Sequence, residues 1–274
     1  MHKEFLMGNA AIALGAVAAG VNVVAGYPGT PSTEVLETIA KHRPDDVYVE
    51  WSVNEKAAME LAAGASYAGA RSMVTMKQVG LNVASDPLMS LEYVGIKGGM
   101  VILVADDPGP ISSQTEQDTR HFSRFSKLPC FDPSSAQEAY EMIQEAFEYS
   151  EKYGTPVFLR PTTRVCHGYA SITVKDETEY TRHQPEGFIK DSKRWVIFPR
   201  LSFMNHKKIE ARNQELSDVF SSYEKNKIHP SCDAFKDSKK GIATGGISYT
   251  YTMETLKKTG MVKTLKIATP HPFP

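Results

Sequence analysis

Cysteine is scarce in this sequence, and the few cysteines lie far apart. The chain has 274 residues and three cysteines, Cys130, Cys166 and Cys232. Their spacing offers no close pair of the kind that holds zinc or an iron–sulfur cluster, and their odd number argues against a disulfide framework. Separate thiols are typical of a reducing compartment, so we expect a cytoplasmic protein.

Net charge and long hydrophobic runs are missing as well. The formal net charge is −1 at pH 7, which gives no electrostatic reason to expect nucleic acid or an anionic membrane as a partner. The apolar run from Ala10 to Leu14 is far shorter than the ~20 residues of a transmembrane helix, and no signal-peptide pattern is convincing. With 41% hydrophobic and 23% charged residues, the chain can bury a packed core.

Several well-known motifs are also absent. No G-x-G-x-x-G follows a predicted strand, and neither a Walker A sequence nor a G-x-S-x-G elbow occurs. The first absence makes a nicotinamide-binding Rossmann domain a poor interpretation. Cys166 and His167 are adjacent in sequence, which does not make them a catalytic dyad, and we interpret both as structural.

Strand and helix patterns alternate between residues 8 and 160. Strands are predicted at 22–25, 47–51, 72–76, 99–105 and 156–159, and helices at 8–20, 31–41, 54–70, 78–94 and 134–152. Strands separated by helices of this length imply parallel pairing through right-handed crossovers. We therefore predict an α/β fold, with a parallel sheet flanked by helices, over residues 1–170.

The rest of the chain differs in composition. Residues 171–240 are polar and contain one predicted helix, 207–226, so we interpret them as an arm and linker. A strand–helix–strand pattern then resumes over 241–274. A lone unit of this kind cannot bury both faces of a parallel sheet. We expect either that it docks onto another body or, as we favour, that it is the start of a truncated second α/β domain.

Glu55 stands where a predicted strand passes into a helix made almost wholly of small residues. Asn54 before it suits the N-cap of that helix. Charged side chains are rarely buried without a partner, and a helix rich in Ala and Gly can approach another backbone closely. Glu55 either complements the positive end of its own helix, a contribution of about 0.3–1 kcal/mol, or serves a cofactor. The sequence around Glu55 leaves both interpretations open.

Three more polar segments follow predicted strands and should lie at the same edge of the sheet. In the turn Gly26–Ser32, Thr30 could donate its hydroxyl to an anion or simply cap the following helix. The segment Met76–Asn82 follows the next strand. In the long loop Asp106–Arg120, Arg120 could pair with a substrate carboxylate or with a neighbouring surface acid.

Taken together, four runs of residues resemble a known family. They are Gly-Tyr-Pro-Gly-Thr-Pro-Ser at 26–32, Trp-Ser-Val-Asn-Glu-Lys at 51–56, Met-Lys-Gln-Val-Gly-Leu-Asn-Val at 76–83 and Asp-Asp-Pro-Gly-Pro at 106–110. In this order they resemble the α subunits of indolepyruvate:ferredoxin oxidoreductases, which are thiamine-diphosphate-dependent 2-oxoacid:ferredoxin oxidoreductases. The resemblance is strong over residues 1–170, weaker through the linker, and returns at 241–274.

The resemblance implies that residues 1–170 bind the aminopyrimidine ring of thiamine diphosphate. It assigns to Glu55 the carboxylate that hydrogen-bonds N1′ of this ring and favours the imino form, which takes the proton from C2 of the thiazolium. It also implies that Gln78, Gly80 and Asn82 contact the cofactor.

The same resemblance places Thr30 and, more loosely, Arg120 near the 2-oxoacid, and makes 241–274 the start of a transketolase C-terminal-like domain. The implied reaction is oxidative decarboxylation of indolepyruvate or another aryl pyruvate to the acyl-coenzyme A, with electrons passed to ferredoxin. A β subunit and a homo-oligomer are implied partners.

Two expected motifs of that family do not occur in this chain. It has no Gly-Asp-Gly for the metal-bound diphosphate and no Cys-x-x-Cys for an electron path. The resemblance therefore implies that Mg²⁺ and the [4Fe-4S] clusters belong to a missing C-terminal region. We expect only a half-site for the cofactor here, with no metal ligand, and an isolated chain that is inactive.

Two functions of other classes stay open. The chain could be a non-catalytic assembly subunit of the same fold, with the small-residue helix as a subunit seam, which Ala62→Leu or Ala65→Leu would test. It could also be a small-anion-binding α/β domain that uses the turn at Thr30, which a binding screen with 2-oxoacids would test.

Overall fold

The computed structural model describes residues 1–229, 240–260 and 262–274. Cys232 and part of the predicted linker lie outside these residues. The strands are β1 (His2–Met7), β2 (Val23–Gly26), β3 (Tyr48–Trp51), β4 (Ser72–Lys77), β5 (Met100–Ala105), β6 (Cys130–Phe131), β7 (Val157–Leu159), β8 (Tyr169–Val174), β9 (Ile228–His229), β10 (Gly241–Gly245) and β11 (Lys263–Ile267). The helices are α1 (Gly8–Ala18), α2 (Thr33–His42), α3 (Glu55–Tyr67), α4 (Gly80–Val94), α5 (Thr119–Phe125), α6 (Ala136–Tyr153), α7 (Thr163–His167), α8 (Ser192–Trp195), α9 (Pro199–Ser221) and α10 (Gly246–Thr259).

A six-stranded parallel sheet forms the centre of the molecule. Its strand order is β3-β2-β4-β5-β7-β6, which confirms the predicted α/β fold. The central strand β5 is apolar and buried throughout, as expected for a strand that is covered on both faces. Its side chains alternate between the two faces, so that Val101 and Leu103 pack into one hydrophobic core and Ile102 and Val104 into the other.

Each face of the sheet carries its own helices. The first core gathers residues of α1, α2, α6 and α9, and the second gathers residues of α3 and α4. Helix α6 shows how the local sequence determines where a helix begins and ends. The Ser135 side chain caps it by accepting a hydrogen bond from Glu138 N, and Gly154 ends it in the left-handed conformation.

An antiparallel pair of strands lies outside the main sheet and was not predicted. β1 pairs with β8 along their whole length, from His2 opposite Val174 to Met7 opposite Tyr169. The sequence pattern had indicated a helix close to the N-terminus and an arm after residue 170. Because the two partners are more than 160 residues apart and both are partly exposed, local periodicity could not reveal their pairing.

Other differences from the prediction are smaller. The helix expected at 207–226 is α9, which starts earlier, with Pro199 in its first turn, and ends at Ser221. The long loop after β5 was expected to continue to Arg120, but α5 begins at Thr119, with Asp118 as its N-cap. Proline at the first helical position and aspartate at the N-cap are both strong start signals.

Residues 241–274 dock onto the main domain beside β6 and α6. β10 and β11 are parallel, and β9 adds an antiparallel strand to them. Cys130 N donates to His271 O at 2.8 Å, and Thr250 Oγ1 donates to Ser134 O at 2.7 Å. Lys266 forms an ion pair with Glu138. Within the described residues this unit is docked onto the main domain, and the start of a second α/β domain stays a prediction.

Candidate functional site

The strands β2, β3, β4 and β5 end together at one edge of the sheet. Gly26 lies opposite both Trp51 and Thr75, and Lys77 lies opposite Ala105. The segments that follow these strands therefore meet at the carboxyl edge, as predicted, which is where parallel sheets place their ligands.

Glu55 is the first residue of α3, at this edge. Asn54 caps the helix as predicted, its side chain accepting from Ala57 N at 2.9 Å. The Glu55 side chain is only 9% exposed, and within the described part of the chain it makes no hydrogen bond or ion pair. A carboxylate with so little water and no protein partner is unusual, so the position suits a bound group that brings a donor.

The Glu55 carboxylate rests on the first residue of α4. A methyl group placed on Gly80 would lie 2.4 Å from Glu55 Oε1 and 2.7 Å from its Cγ. Glycine at this position therefore makes room for the carboxylate. Glu55 is the first residue of α3, and its carboxylate lies against the first residue of α4. The positive ends of two helix dipoles therefore lie near its negative charge. The helix-end role and the cofactor role are thus both compatible with its position.

Gln78 lies in the turn that leads to Gly80. Its side chain is buried, Nε2 donates to Thr115 O at 3.1 Å, and Oε1 is buried without a partner in the described chain. Asn82 is on the exposed side of the first turn of α4. Of the predicted cofactor contacts, the structure brings Gly80 against Glu55 and places Gln78 in the adjoining turn.

Thr30 lies in the turn after β2, and the prediction that it caps the next helix is wrong. Helix α2 begins at Thr33, and the turn before it is closed by Ser32 N donating to Gly29 O. Gly29 N donates to Thr33 Oγ1 at 2.9 Å. Thr30 is exposed, and its hydroxyl is not engaged in any contact with another described residue. The hydroxyl is therefore available at the carboxyl edge.

Arg120 lies farther along the same edge, in α5. Its guanidinium is bound by Asp118, with Nε 2.9 Å from Oδ1 and Nη2 2.6 Å from Oδ2. It lines a cavity of about 350 Å³ together with Asp132 and Gly245. Within the described residues no contact joins Arg120 to Glu55. The pairing with a neighbouring acid, one of the two alternatives for Arg120, is therefore present in the structure.

Arg160 is a buried side chain of this edge that the sequence did not single out. Its Nε donates to Asp106 Oδ2 at 2.6 Å, and its Nη1 lies 3.3 Å from Asp132 Oδ1. Asp106 also accepts from the backbone and hydroxyl of Thr119. The only available signal was the position of Arg160 directly after β7. Through these contacts Arg160, which follows β7, links the ends of β5 and β6 and the start of α5.

Asp107 fixes the loop that follows β5. Its Oδ2 accepts from the backbone N–H groups of Ile111, Ser112 and Ser113 at 2.9–3.0 Å, and its Oδ1 accepts from the Thr163 hydroxyl. Burial alone would raise the pKa of this carboxyl, but these hydrogen bonds outweigh it and lower the pKa to about 2. The loop is therefore held by an ionised aspartate at neutral pH.

The described residues contain neither a metal-ligand cluster nor a membrane-spanning helix. No group of three His, Cys, Asp or Glu side chains there is placed to hold a metal ion. In the same part of the chain, no helix combines the length and apolar character needed to cross a bilayer.

Comparison with known proteins gives close relatives over the whole chain. It is 42% identical to indolepyruvate oxidoreductase subunit IorA of Pyrococcus abyssi, over 100% of this chain and 42% of the relative. It is 43% identical to the subunit of the same name from Methanothermobacter thermautotrophicus, over 99% of this chain and 44% of the relative. The chain thus spans less than half the length of these curated relatives.

A solved structure shares the fold. The 2-oxoglutarate:ferredoxin oxidoreductase of Magnetococcus marinus, solved with 2-oxoglutarate, coenzyme A and succinyl-CoA bound, matches 99% of this chain and 55% of its own chain with a TM-score of 0.79 at 18% identity. The family model described as pyruvate flavodoxin/ferredoxin oxidoreductase, thiamine diphosphate-binding, matches residues 14–241. The chain therefore belongs to the family of thiamine-diphosphate-binding domains of the pyruvate flavodoxin/ferredoxin oxidoreductases.

Proposed function

We propose that this chain supplies the aminopyrimidine half-site of a thiamine-diphosphate-dependent 2-oxoacid:ferredoxin oxidoreductase. The observation that carries the proposal is Glu55, a nearly buried carboxylate without a protein partner among the described residues, at the carboxyl edge of the sheet. The family match over residues 14–241 and the two IorA relatives support it. In the complete enzyme the substrate is indolepyruvate or another aryl pyruvate, which is oxidatively decarboxylated to the acyl-coenzyme A.

The residues at this edge fit the aminopyrimidine part of the cofactor. When bound, thiamine diphosphate supplies the carbon nucleophile and the electron sink for decarboxylation. Glu55 then holds the proton at N1′ of the ring, and the shortage of water around its carboxylate strengthens that hydrogen bond. Gln78, in the turn beside Glu55, is a second proposed contact to the cofactor.

The substrate contacts are a separate part of the proposal. Thr30, with its exposed and unengaged hydroxyl, is placed to donate to the 2-oxoacid. Arg120 would have to exchange its contact with Asp118 for one with the substrate carboxylate. Asn82, exposed in the first turn of α4, is the third proposed cofactor contact.

The remaining components belong to the complete enzyme. We propose that Mg²⁺ and the [4Fe-4S] clusters are bound elsewhere in the complete enzyme, as the resemblance implies for a chain without Gly-Asp-Gly and Cys-x-x-Cys runs. A β subunit, coenzyme A and ferredoxin are the proposed partners, and the assembly is a cytoplasmic homo-oligomer.

Proton exchange at C2 of the bound cofactor tests the half-site directly. In the complete enzyme loaded with thiamine diphosphate, we expect Glu55→Gln to slow the exchange of the C2 proton with deuterium, measured by quenched-flow NMR. Unchanged exchange in the variant would remove Glu55 from the proposal. The same measurement on Glu60→Gln, an exposed glutamate of α3, is the matched control.

A second candidate function is assembly through α3. Gly64 is exposed, and a methyl group placed on it would meet nothing within 4 Å. Ala65 beside it is partly exposed, so this face of the helix is open to another backbone. Ala62 is fully buried in the second core, so Ala62→Leu would test core packing instead. Ala65→Leu is the suitable variant, with size-exclusion chromatography as its measurement.

A further inference from the structure

Asn9 is a buried polar side chain in the first turn of α1. It is 0% exposed, and its Nδ2 donates to Pro31 O at 2.7 Å and to Glu34 Oε2 at 2.8 Å. Its Oδ1 makes no hydrogen bond within the described chain. Because a carbonyl and a carboxylate both accept, these two partners fix which end of the amide faces the turn after β2.

One of these hydrogen bonds joins Asn9 to the turn that carries Thr30. Pro31 follows Thr30 directly, and among the described residues Asn9 is the one donor to the Pro31 oxygen. The hydrogen bonds inside the turn connect other atoms of residues 29–33 and leave this oxygen out. The place of Thr30 therefore depends on a side chain from outside the turn.

The start of α1 is firmly held, so Asn9 is a fixed anchor. A methyl group on Gly8 would lie 1.8 Å from Val165 O, which shows that the first turn of α1 packs directly on the backbone of α7. Gly8 N also donates to Gly168 O at 3.0 Å, just beyond the antiparallel pair of β1 and β8. Since its neighbour is held on two sides, Asn9 has little freedom to follow a moving turn.

Thr30 is the residue of the turn that benefits from this anchor. Its side chain is exposed, and its hydroxyl makes no hydrogen bond with another described residue. A donor on a mobile turn must be ordered when a ligand binds, and that ordering weakens binding. By holding the adjacent carbonyl, Asn9 reduces the loss of freedom that binding at Thr30 would require.

We propose that Asn9 is a positioning residue for the 2-oxoacid, because it holds the Pro31 carbonyl and thereby the Thr30 hydroxyl. The inference rests on the proposed function, in which Thr30 donates to the 2-oxoacid. Asn9 is fully buried, so it acts through the turn. Its loss should weaken the binding of the substrate and leave the chemical step unchanged.

Steady-state kinetics of the complete enzyme with indolepyruvate test this role. Asn9→Ala should raise KM about tenfold and keep kcat within about twofold, because uniform binding is lost. Thr30→Val, which removes the hydroxyl, should raise KM by a similar factor. The double variant should have the KM of Thr30→Val alone, since residues that act through one contact are not additive.

Ser66→Ala is the matched control for the loss of a buried hydrogen bond. Ser66 is also 0% exposed, and its hydroxyl donates to Gly98 O at 2.6 Å. It lies in the last turn of α3, at the opposite end of this helix from Glu55. This variant should lower the free energy of unfolding and leave KM unchanged.

Two further measurements separate positioning from general damage. Circular dichroism and thermal unfolding check that each variant is folded at the assay temperature. Asn9→Ser replaces Asn9→Ala if the latter does not fold, since its hydroxyl is one atom shorter and cannot serve both acceptors. Exchange of the C2 proton of bound thiamine diphosphate should keep the parent rate in the Asn9 variants, because Glu55 and α4 are unchanged.

The outcomes distinguish this inference from the proposed function. A raised KM in Thr30→Val but not in Asn9→Ala would overturn the inference and leave the proposed function intact. Effects that multiply in the double variant, slower C2 exchange in Asn9→Ala, or an equal rise of KM in Ser66→Ala would also overturn it. An unchanged KM in Thr30→Val would remove Thr30 from the proposed function, and the positioning role of Asn9 with it.

Discussion

The two ends of α4 each hold a buried glutamate, and the comparison shows how helix geometry decides what such a residue can do. Glu55 rests on the first residue of α4, where free N–H groups favour a negative charge. Glu92 lies in the last turns of the same helix, where the dipole opposes it. Both lack hydrogen-bond partners in the described chain, yet only Glu55 lies against the start of α4, where the helix dipole favours a negative charge.

The electrostatics of Glu92 show the other side of the comparison. Burial raises the pKa of its carboxyl from 4.5 to about 7, and the attraction of Arg212 and Lys127 offsets only part of this. At neutral pH this residue is divided between its two protonation states. We expect Glu92 to change its charge near neutral pH, whereas the proposed role of Glu55 is a hydrogen bond to a cofactor.

The largest expected effect is on turnover. In the complete enzyme, Glu55→Gln should lower kcat for oxidation of the 2-oxoacid at least about a hundredfold, the usual range for loss of an acid–base group. Reduction of a viologen dye measures it. Glu92→Gln, measured in parallel, should retain kcat within about twofold, because the residue lies about 18 Å along α4 from the half-site.

Equal losses in the two variants would break the comparison. They would show that the two ends of α4 act as one unit, or that both substitutions simply disturb the fold. Glu60→Gln, on the exposed side of α3, removes one negative charge outside the half-site. Its kcat therefore shows the effect of losing a charge alone.

The next effect concerns stability and pH. The folded chain favours the neutral form of Glu92. The contribution of this residue to the free energy of unfolding is therefore fully present below pH 4.5 and is lost as the pH rises through about 7. Glu92→Gln removes the buried charge, so it should raise the free energy of unfolding at pH 8 by up to roughly 3 kcal/mol and change it little at pH 4. Urea denaturation of the full chain at both pH values measures the difference.

The direction of the stability change at pH 8 distinguishes an unpaired buried Glu92 from a paired one. A variant that is less stable than the parent at pH 8 would mean that Glu92 is paired in solution. In that case the attraction of Arg212 and Lys127 would outweigh the burial of its carboxyl.

Some of this architecture could be predicted from the sequence because it follows from local pattern. Apolar strands alternating with helices gave the parallel sheet, and parallel pairing then placed the loops after β2, β3 and β4 at one edge. Asn54 could be identified as a cap because a helix start needs a side-chain acceptor at that position. The position of Glu55 followed from these features.

What could not be predicted depends on contacts between distant segments. The pairing of β1 with β8 joins residues more than 160 positions apart. Arg160 gains its role only when three strand ends bring Asp106 and Asp132 to it. Glu92 is buried in α4, and the distant helix α9 packs against α4. Thr30 does not cap α2 because the turn Gly29–Ser32 places the N-cap two residues later, at Ser32.

A smaller effect tests the contact between Glu55 and α4. Gly80→Ala places a methyl group 2.4 Å from Glu55 Oε1, so the carboxylate or the start of α4 must move. We expect the affinity of the complete enzyme for thiamine diphosphate to fall about tenfold, equivalent to about 1.4 kcal/mol. Fluorescence titration of the apoenzyme measures it, and unchanged affinity would show that the half-site does not depend on this contact.

The smallest expected effect comes from the matched glycine on α3, and its sign is the opposite. Gly64→Ala adds a methyl group that meets nothing within 4 Å, and alanine is the better helix former by about 0.8–1 kcal/mol. The isolated chain should therefore gain about that much stability in thermal unfolding. In the complete enzyme the same methyl group meets another backbone if this face of α3 is a subunit seam, and assembly should weaken. A gain of stability in the isolated chain together with unchanged assembly would exclude this face of α3 as a subunit seam, because the added methyl group would then meet no partner backbone.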